Sequence, residues 1–467
     1  MRTTTTTATA ATAATTQIFF TSSLYGAATL AAAIDSGCFA PADRRLLLVA
    51  NNATTPETSP ALNEMPGFEQ LLDRFDGVLS WNEAISPFHP GGWAPRPDDI
   101  PLWERYLRML WDLGDDRIEL AVESIQVNPA LAIAQLFPEA ALDVYADGLM
   151  SYGPTRSKID PLVGERVRRL FHLDLVAGLK PLLLAEFGAE PEIVPTEAFV
   201  KVIAELSDGV ADVAFDESSG EGSGEVSGER PALLLGQYLA ALGIITPAEE
   251  EALHVSMVRG AVALGHRRIV FKPHPTAPSS WTRTLEREAE ALDAELTVLD
   301  RPLLAEVLYR RLRPALVAGC FSTALFTAST FYGIPVARMG TEPLLDRLTP
   351  YQNSNRVPLT IVDALVPDLA EGAAGAPAEA DETMAGLLNA VGFAMQPQLR
   401  PDLRAAAEGY LGRNLNTRTW RYFKRRRLTV LGLPGGIPVP RNATVRRVVR
   451  RARRGLGSRR TATRSAS

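Results

Sequence analysis

The sequence predicts an α/β protein of two parallel-sheet units facing a cleft, and three observations carry that reading. Between residues 17 and 206, short apolar runs alternate with amphipathic or Ala-rich stretches. That is the pattern of strands joined by crossover helices. Residues 207–230 then hold seven acidic residues, one basic residue and many Gly and Ser. So polar a segment buries too little apolar surface to fold, and it reads as a linker. From residue 231 the alternation restarts and runs to residue 400. Ligands of open α/β sheets bind beyond the carboxyl ends of the strands, so two such units place a binding cleft between them.

Taken in order, residues 1–16 are nearly all Thr and Ala and are expected to be a disordered leader. The 17–206 unit offers strands at 17–20, 46–50, 77–80, 118–122 and 142–145, with helical stretches at 27–34 and 102–113. The 231–400 unit offers strands at 232–235, 268–271, 296–299, 315–318 and 334–337. A Gly/Ala/Pro-rich break covers 370–378. Residues 401–427 read as a closing helical segment and 428–467 as a basic tail.

Composition narrows the function. The 467 residues are 46% hydrophobic and 22% charged, an ordinary globular balance. The net charge of -6 argues against a nucleic-acid-binding protein. It hides an asymmetry: residues 411–467 carry +17 with no acid, which leaves -23 on the rest. Two cysteines, Cys38 and Cys320, are too few for a disulfide scaffold or a cysteine zinc site, and no metal is expected. The longest uncharged stretch, 314–337, contains Gly319, Ser322, Thr323, Gly333 and Pro335. It reads as strand, glycine turn and helix rather than as a membrane span. The N-terminus lacks the apolar core of a signal peptide, so a cytoplasmic protein is the simplest reading.

The chemistry-bearing residues fall at predicted strand ends. Lys272-Pro273-His274-Pro275 follows a strand, and its prolines hold His274 in an extended backbone. The bland alternative is a Pro-rich turn. Gly319-Cys320-Phe321-Ser322-Thr323 follows another strand and opens a helix, where hydroxyls and free amides make an anion site. A plain helix cap is the alternative. Asp147-Gly148 ends a strand of the first unit, where a carboxylate faces the cleft as a candidate general base. Asp-Gly is also a common turn. Ser22, Ser23 and Tyr25 follow the first strand, Glu123 ends another, and Glu83 lies in an aromatic stretch with Trp81, Phe88, His89 and Trp93. Such loops suit stacking on sugars, or simply pack. Glu306 sits in an amphipathic stretch.

An acid-Gly motif, a His-Pro motif and a Ser-Thr motif in that order resemble the signatures of the bacterial sialyltransferase superfamily. More closely, the chain resembles the bacterial alpha-2,8-polysialyltransferase family. The stretches that carry the likeness are 80–83, 122–129, 145–154, 272–275 and 320–324, within residues 17–400. The first motif reads Ala146-Asp147-Gly148, with one of the two acids of the family pattern. Asp147 is therefore its candidate base, and Glu123 the reserve.

The resemblance implies a GT-B architecture, two Rossmann-like domains facing a cleft. It implies a glycosyltransferase that takes sialic acid from CMP-sialic acid, held by the C-terminal unit, and passes it to a glycan acceptor with inversion. No cofactor or metal is implied. His274 and Asp147 would be catalytic. Ser322 and Thr323 would hold the phosphate, Glu306 the ribose, and Lys272, Pro275 and Gly319 would complete the donor site. From their charge, Lys272 and Arg338 are also candidates for phosphate or carboxylate contacts. Ser22, Ser23, Tyr25, Glu83 and Glu123 would serve the acceptor side or support the base. Another CMP-activated acidic sugar, or a non-catalytic homologue that only binds, are the alternatives.

Residues 411–467 interleave Trp420, Tyr422, Phe423 and Leu428 with Arg421, Lys424, Arg425, Arg426 and Arg427, and Val445, Val448 and Val449 with the Arg-rich run 446–454, which suits an anionic membrane surface. The expected location is then peripheral, on the inner face of the plasma membrane. A polyanionic acceptor is the competing partner, and a disordered solvated run the bland alternative.

Overall fold

The computed structural model describes residues 13–146, 148–210, 229–273 and 279–438. The expectations for Asp147, His274 and Pro275, for most of the acidic linker, and for residues 439–467 therefore lie outside the described residues.

Seven parallel strands form the first sheet. They are β1 (Thr15–Thr21), β2 (Arg44–Val49), β3 (Gly77–Ser80), β4 (Arg117–Glu123), β5 (Ala141–Ala146), β6 (Val167–Leu173) and β7 (Glu190–Val194), in the spatial order β3-β2-β1-β4-β5-β6-β7. Five more form the second sheet: β8 (Ala232–Leu235), β9 (Arg268–Lys272), β10 (Glu295–Val298), β11 (Leu316–Gly319) and β12 (Val336–Arg338), in the order β10-β9-β8-β11-β12. Each chain segment starts mid-sheet, walks to one edge, then returns to build the other. The direction of walking reverses between β1 and β4, and between β8 and β11. Crossovers diverge there and leave a crevice at the carboxyl ends.

The central strands form where the sequence is continuously apolar, because helices cover both faces. Ile18, Phe19 and Phe20 of β1 are all buried, as are Ala232, Leu233 and Leu234 of β8. The helix Leu24–Asp35 is capped by Ser23, whose hydroxyl accepts the Gly26 amide at 3.0 Å. Its small residues Ala27, Ala28, Ala31 and Ala32 are buried, which lets it lie close to the sheet and to the helix Thr196–Asp208.

Three boundaries differ from the sequence expectation. β1 begins at Thr15, inside the expected leader. Thr16 is fully buried, and its hydroxyl donates to Asp116 at 2.6 Å. A β-branched residue fits a strand once a partner satisfies its hydroxyl. β6 and β7 were not expected, because charged residues interrupt their apolar pattern. Arg169 of β6 binds Asp143 of β5 at 2.8 Å and Glu192 of β7 at 3.3 Å. Finally, packing continues beyond Arg427, since Leu428 and Leu433 are buried and a short helix spans Arg425–Leu431.

The two units share a core. The apolar face of the first sheet that carries Phe19 and Phe171 is continuous with the second sheet. Phe199 meets Phe331 edge-on at 5.8 Å, and the Thr330 hydroxyl donates to the Leu175 carbonyl at 3.2 Å. The chain also returns to the first unit at its end. Arg400 donates to the Leu182 carbonyl at 3.3 Å, and the Gln396 carboxamide donates to the Arg156 carbonyl. Among the described residues no helix is long and apolar enough to cross a membrane.

Candidate active site

On the first unit the carboxyl ends of β1, β4 and β5 lie side by side. Glu123 ends β4 and is in register with Tyr145 of β5. One of its oxygens accepts two bonds from Ser22, at 3.0 Å from the amide and 2.7 Å from the hydroxyl. That grip fixes the carboxylate beside the strand that leads into Asp147. Tyr145 is buried, and its hydroxyl donates to the Phe20 carbonyl at 3.1 Å. A side chain at Gly26 would meet the Tyr145 hydroxyl at 2.8 Å and the Thr21 hydroxyl at 2.7 Å, so only glycine fits there. Beyond β4 the backbone turns sharply, with positive φ at Ser124 (47°) and Ile125 (20°). Non-glycine residues are held in such geometry only by their surroundings.

On the second unit, β8, β9 and β11 end together. Gln237, just past β8, accepts the Phe321 amide at 2.7 Å. Ser322 accepts the Ala324 amide at 3.2 Å, and the Leu325 and Phe326 amides bind the Ser322 and Thr323 carbonyls. The amides of Ser322 and Thr323 themselves have no partner among the described residues. They precede the helix Ala324–Tyr332, at its positive end. Gly319 has room for a side chain, with its nearest neighbours at 3.6 Å.

Lys272 ends β9, partly buried. Burial pushes its ammonium pKa down, against the pull of Glu306 and Asp300. Glu306 is 3% exposed and accepts the Thr327 hydroxyl at 2.6 Å. Burial pushes its carboxyl up, opposed by the Thr327 bond and by Lys272. Glu306 thus belongs to an inner layer behind the Ser322-Thr323 turn, beside Lys272.

The two sides touch. The Thr323 hydroxyl accepts the Leu149 amide at 3.2 Å, and a side chain at Gly148 would lie 2.8 Å from that oxygen. The acid-Gly and Ser-Thr motifs therefore share one contact. Ser22, Glu123, Gly148, Ser322 and Thr323 line the carboxyl edges that meet there. Tyr25 instead packs its ring on Phe199, 5.2 Å between centroids. Glu83 follows β3 at the sheet edge, three strands from Glu123.

Arg338 is not available for a phosphate. It binds Asp368 at 2.8 Å, Thr341 at 2.7 Å and the Val366 carbonyl at 3.1 Å, with Asp363 at 3.4 Å. Two residues of the site were missed in the sequence. Gln237 follows a strand just as Lys272 does, and that position was the available signal. Arg156 lies two residues beyond the 145–154 stretch. Its guanidinium is 3.6 Å from Met150 sulfur. It forms no ion pair among the described residues, and burial lowers its pKa.

Two Rossmann-like sheets joined at their carboxyl edges, with the chain's last helices returning to the first unit, are the GT-B architecture. The sequence model described as alpha-2,8-polysialyltransferase (POLYST) matches residues 17–341. The chain belongs to that family, and so is a sialyltransferase-type glycosyltransferase. Similar solved structures include a sialyltransferase from Photobacterium damselae, in its GT-B domain (13% identity, 74% of this chain and 95% of that one, TM-score 0.39). They also include a UDP-GlcNAc 2-epimerase from Methanocaldococcus jannaschii (14%, 69% and 82%, TM-score 0.41) and MurG from Acinetobacter baumannii (10%, 84% and 94%, TM-score 0.37). A search of curated proteins found no match.

Proposed function

We propose that the protein moves sialic acid from CMP-sialic acid to a hydroxyl of a sialoside or other glycan acceptor, with inversion and without a metal. Asp147 takes the proton of the acceptor hydroxyl as its oxygen attacks the anomeric carbon. The bond from that carbon to the CMP phosphate breaks, and the phosphate leaves with both bonding electrons. His274 and the amides and hydroxyls of Ser322 and Thr323 stabilise the charge that builds on the phosphate. Fixed donors aimed at developing charge lower the barrier more than they tighten ground-state binding. Lys272 adds a positive charge at the same strand edge. Arg156, on the other wall, suits the carboxylate of a sialic acid.

The observation that carries this reading is the Thr323–Leu149 bond, which joins a hydroxyl-and-amide turn to the backbone next to Asp147. Attack and departure then fall within one small space. The protein would work in the cytoplasm, held to the inner face of the plasma membrane by its basic C-terminal residues. The reading is tested by the anomeric configuration of the first transfer product, followed by NMR. Inversion is expected. Retention, or no transfer from CMP-sialic acid to any sialoside or other glycan acceptor, would overturn it.

A further inference from the structure

A cavity of 440 Å³ opens at the carboxyl ends of β2 and β3. We propose that it is a subsite for a neutral sugar unit of the acceptor glycan. The proposal rests on the acceptor reading above and adds a ligand class to it.

The cavity walls are tied together before any ligand arrives. The Asn51 amide donates to the Asn82 side chain at 2.8 Å, and the Asn82 carboxamide donates back to the Asn51 carbonyl at 3.0 Å. Asn51 also donates to the carbonyls of Pro56 (3.2 Å) and Ser59 (3.1 Å). His89 accepts the Gly91 amide on Nδ1 at 3.2 Å, so its Nε2 carries the proton and donates to the Ala53 carbonyl at 2.9 Å. These side chains are spent on shaping the loops.

Other groups in the cavity are unspent. The Phe88 ring is 52% exposed, yet it is backed by Trp93, stacked at 6.4 Å with the planes 28° apart. Trp93 in turn rests edge-on against Trp81 and Trp103. A rigid exposed aromatic face suits the apolar C–H face of a sugar ring. Around it, the carboxylates of Glu57 and Glu83 make no ion pair or hydrogen bond to described residues, and both border the cavity. A carboxylate is a strong acceptor for sugar hydroxyls.

Charge selects the ligand class. The lining holds two carboxylates and neither Lys nor Arg. Sialic acid, phosphate or a polyanion would be repelled there, whereas a neutral sugar is not. Position gives it a use. β2 adjoins β1, which adjoins β4. Neighbouring strands are ~4.8 Å apart, so the cavity lies roughly 10–15 Å along the same edge from Glu123. An acceptor whose reacting end reaches the Asp147–Glu123 region lays a unit further from that end in the cavity.

The test is a titration of the full chain, without donor, with lactose, maltotriose, chitotriose and oligosialic acid, read by saturation-transfer NMR. Phe88→Ala and Glu57→Gln are titrated in parallel. At least one neutral sugar is expected to bind saturably, about tenfold more weakly in each variant. Oligosialic acid should not displace it. Both side chains are exposed, so unchanged thermal unfolding separates lost binding from lost folding. Absence of saturable binding by every neutral sugar, wild-type binding by both variants, or displacement by oligosialic acid would overturn the proposal. Binding needs no donor, so failure of the transfer reading would leave this result legible on its own.

Discussion

The Thr323 hydroxyl of the second unit accepts the Leu149 amide of the first at 3.2 Å, across a sequence separation of 174 residues. Gly148, next to Leu149, leaves room for this bond. A methyl group there would sit 2.8 Å from the same oxygen.

Gly148→Ala should therefore push the units apart and lower kcat/KM. The same substitution made in Thr323→Ala should cost less, because the oxygen it strikes is gone. A double-mutant cycle on kcat/KM is expected to give a coupling of about 0.5–3 kcal/mol. Strictly additive losses would show that the two residues act independently.

The base is probed separately. Asp147→Asn should abolish transfer while leaving CMP binding nearly unchanged, since the phosphate donors lie on the other unit. Loss of a general base typically costs roughly 10²–10⁴-fold. Glu123→Gln keeps an acceptor for Ser22 and should reduce transfer less. If the order is reversed, Glu123 is the base and Asp147 supports it.

Stability should depend on pH through His254. This side chain is buried between Phe271 (5.1 Å) and Trp281 (5.5 Å), and neither ring nitrogen has a hydrogen-bond partner among the described residues. Burial pushes its pKa down to about 4. The fold thus favours the neutral ring, while the unfolded chain protonates near ~6.5. The contribution is complete above ~6.5 and is lost as pH falls towards 4, on the order of 3 kcal/mol across that window. His254→Phe should flatten the fall of Tm between pH 7 and pH 5. Equal slopes for wild type and variant would contradict this.

Much of the fold was legible because buried parallel strands are unbroken apolar runs, as at Ile18-Phe19-Phe20 and Leu233-Leu234. β6 escaped notice because Arg168 and Arg169 interrupt it, and only the folded sheet supplies Asp143 as their partner. The site residues at strand ends could be read from their place after each run. What pairs with what could not. Nothing local in the sequence says that Thr323 meets Leu149, that Glu306 turns inward to Thr327, or that Arg338 is consumed by Asp368 and Thr341. Those facts follow from long-range packing. The same holds for residues 411–467, where Tyr422, Phe423 and Leu428 look like membrane anchors in sequence but are buried in the fold.

Membrane attachment is accordingly tested by a chain ending at Pro438, which keeps Leu428 and Leu433 in place. The full chain should sediment with anionic vesicles and not with neutral ones, and the truncated chain should lose most of that binding. Each Lys or Arg near such a surface contributes about 1 kcal/mol. Unchanged vesicle binding would place the contact elsewhere. Unchanged binding with weaker transfer to charged polymeric acceptors would assign the tail to the acceptor.

The central claim is that Ser322, Thr323 and His274 hold the phosphate of a CMP-activated sialic acid. Nucleotide release from a panel of CMP-, UDP- and GDP-sugars tests it most directly, with His274→Ala and Ser322→Ala measured beside the wild type. CMP release from CMP-sialic acid alone is expected, falling by roughly 10²–10³-fold in each variant, the effect of about 2.7–4 kcal/mol of lost transition-state stabilisation. Turnover of a UDP- or GDP-sugar instead, or wild-type rates in both variants, would contradict it.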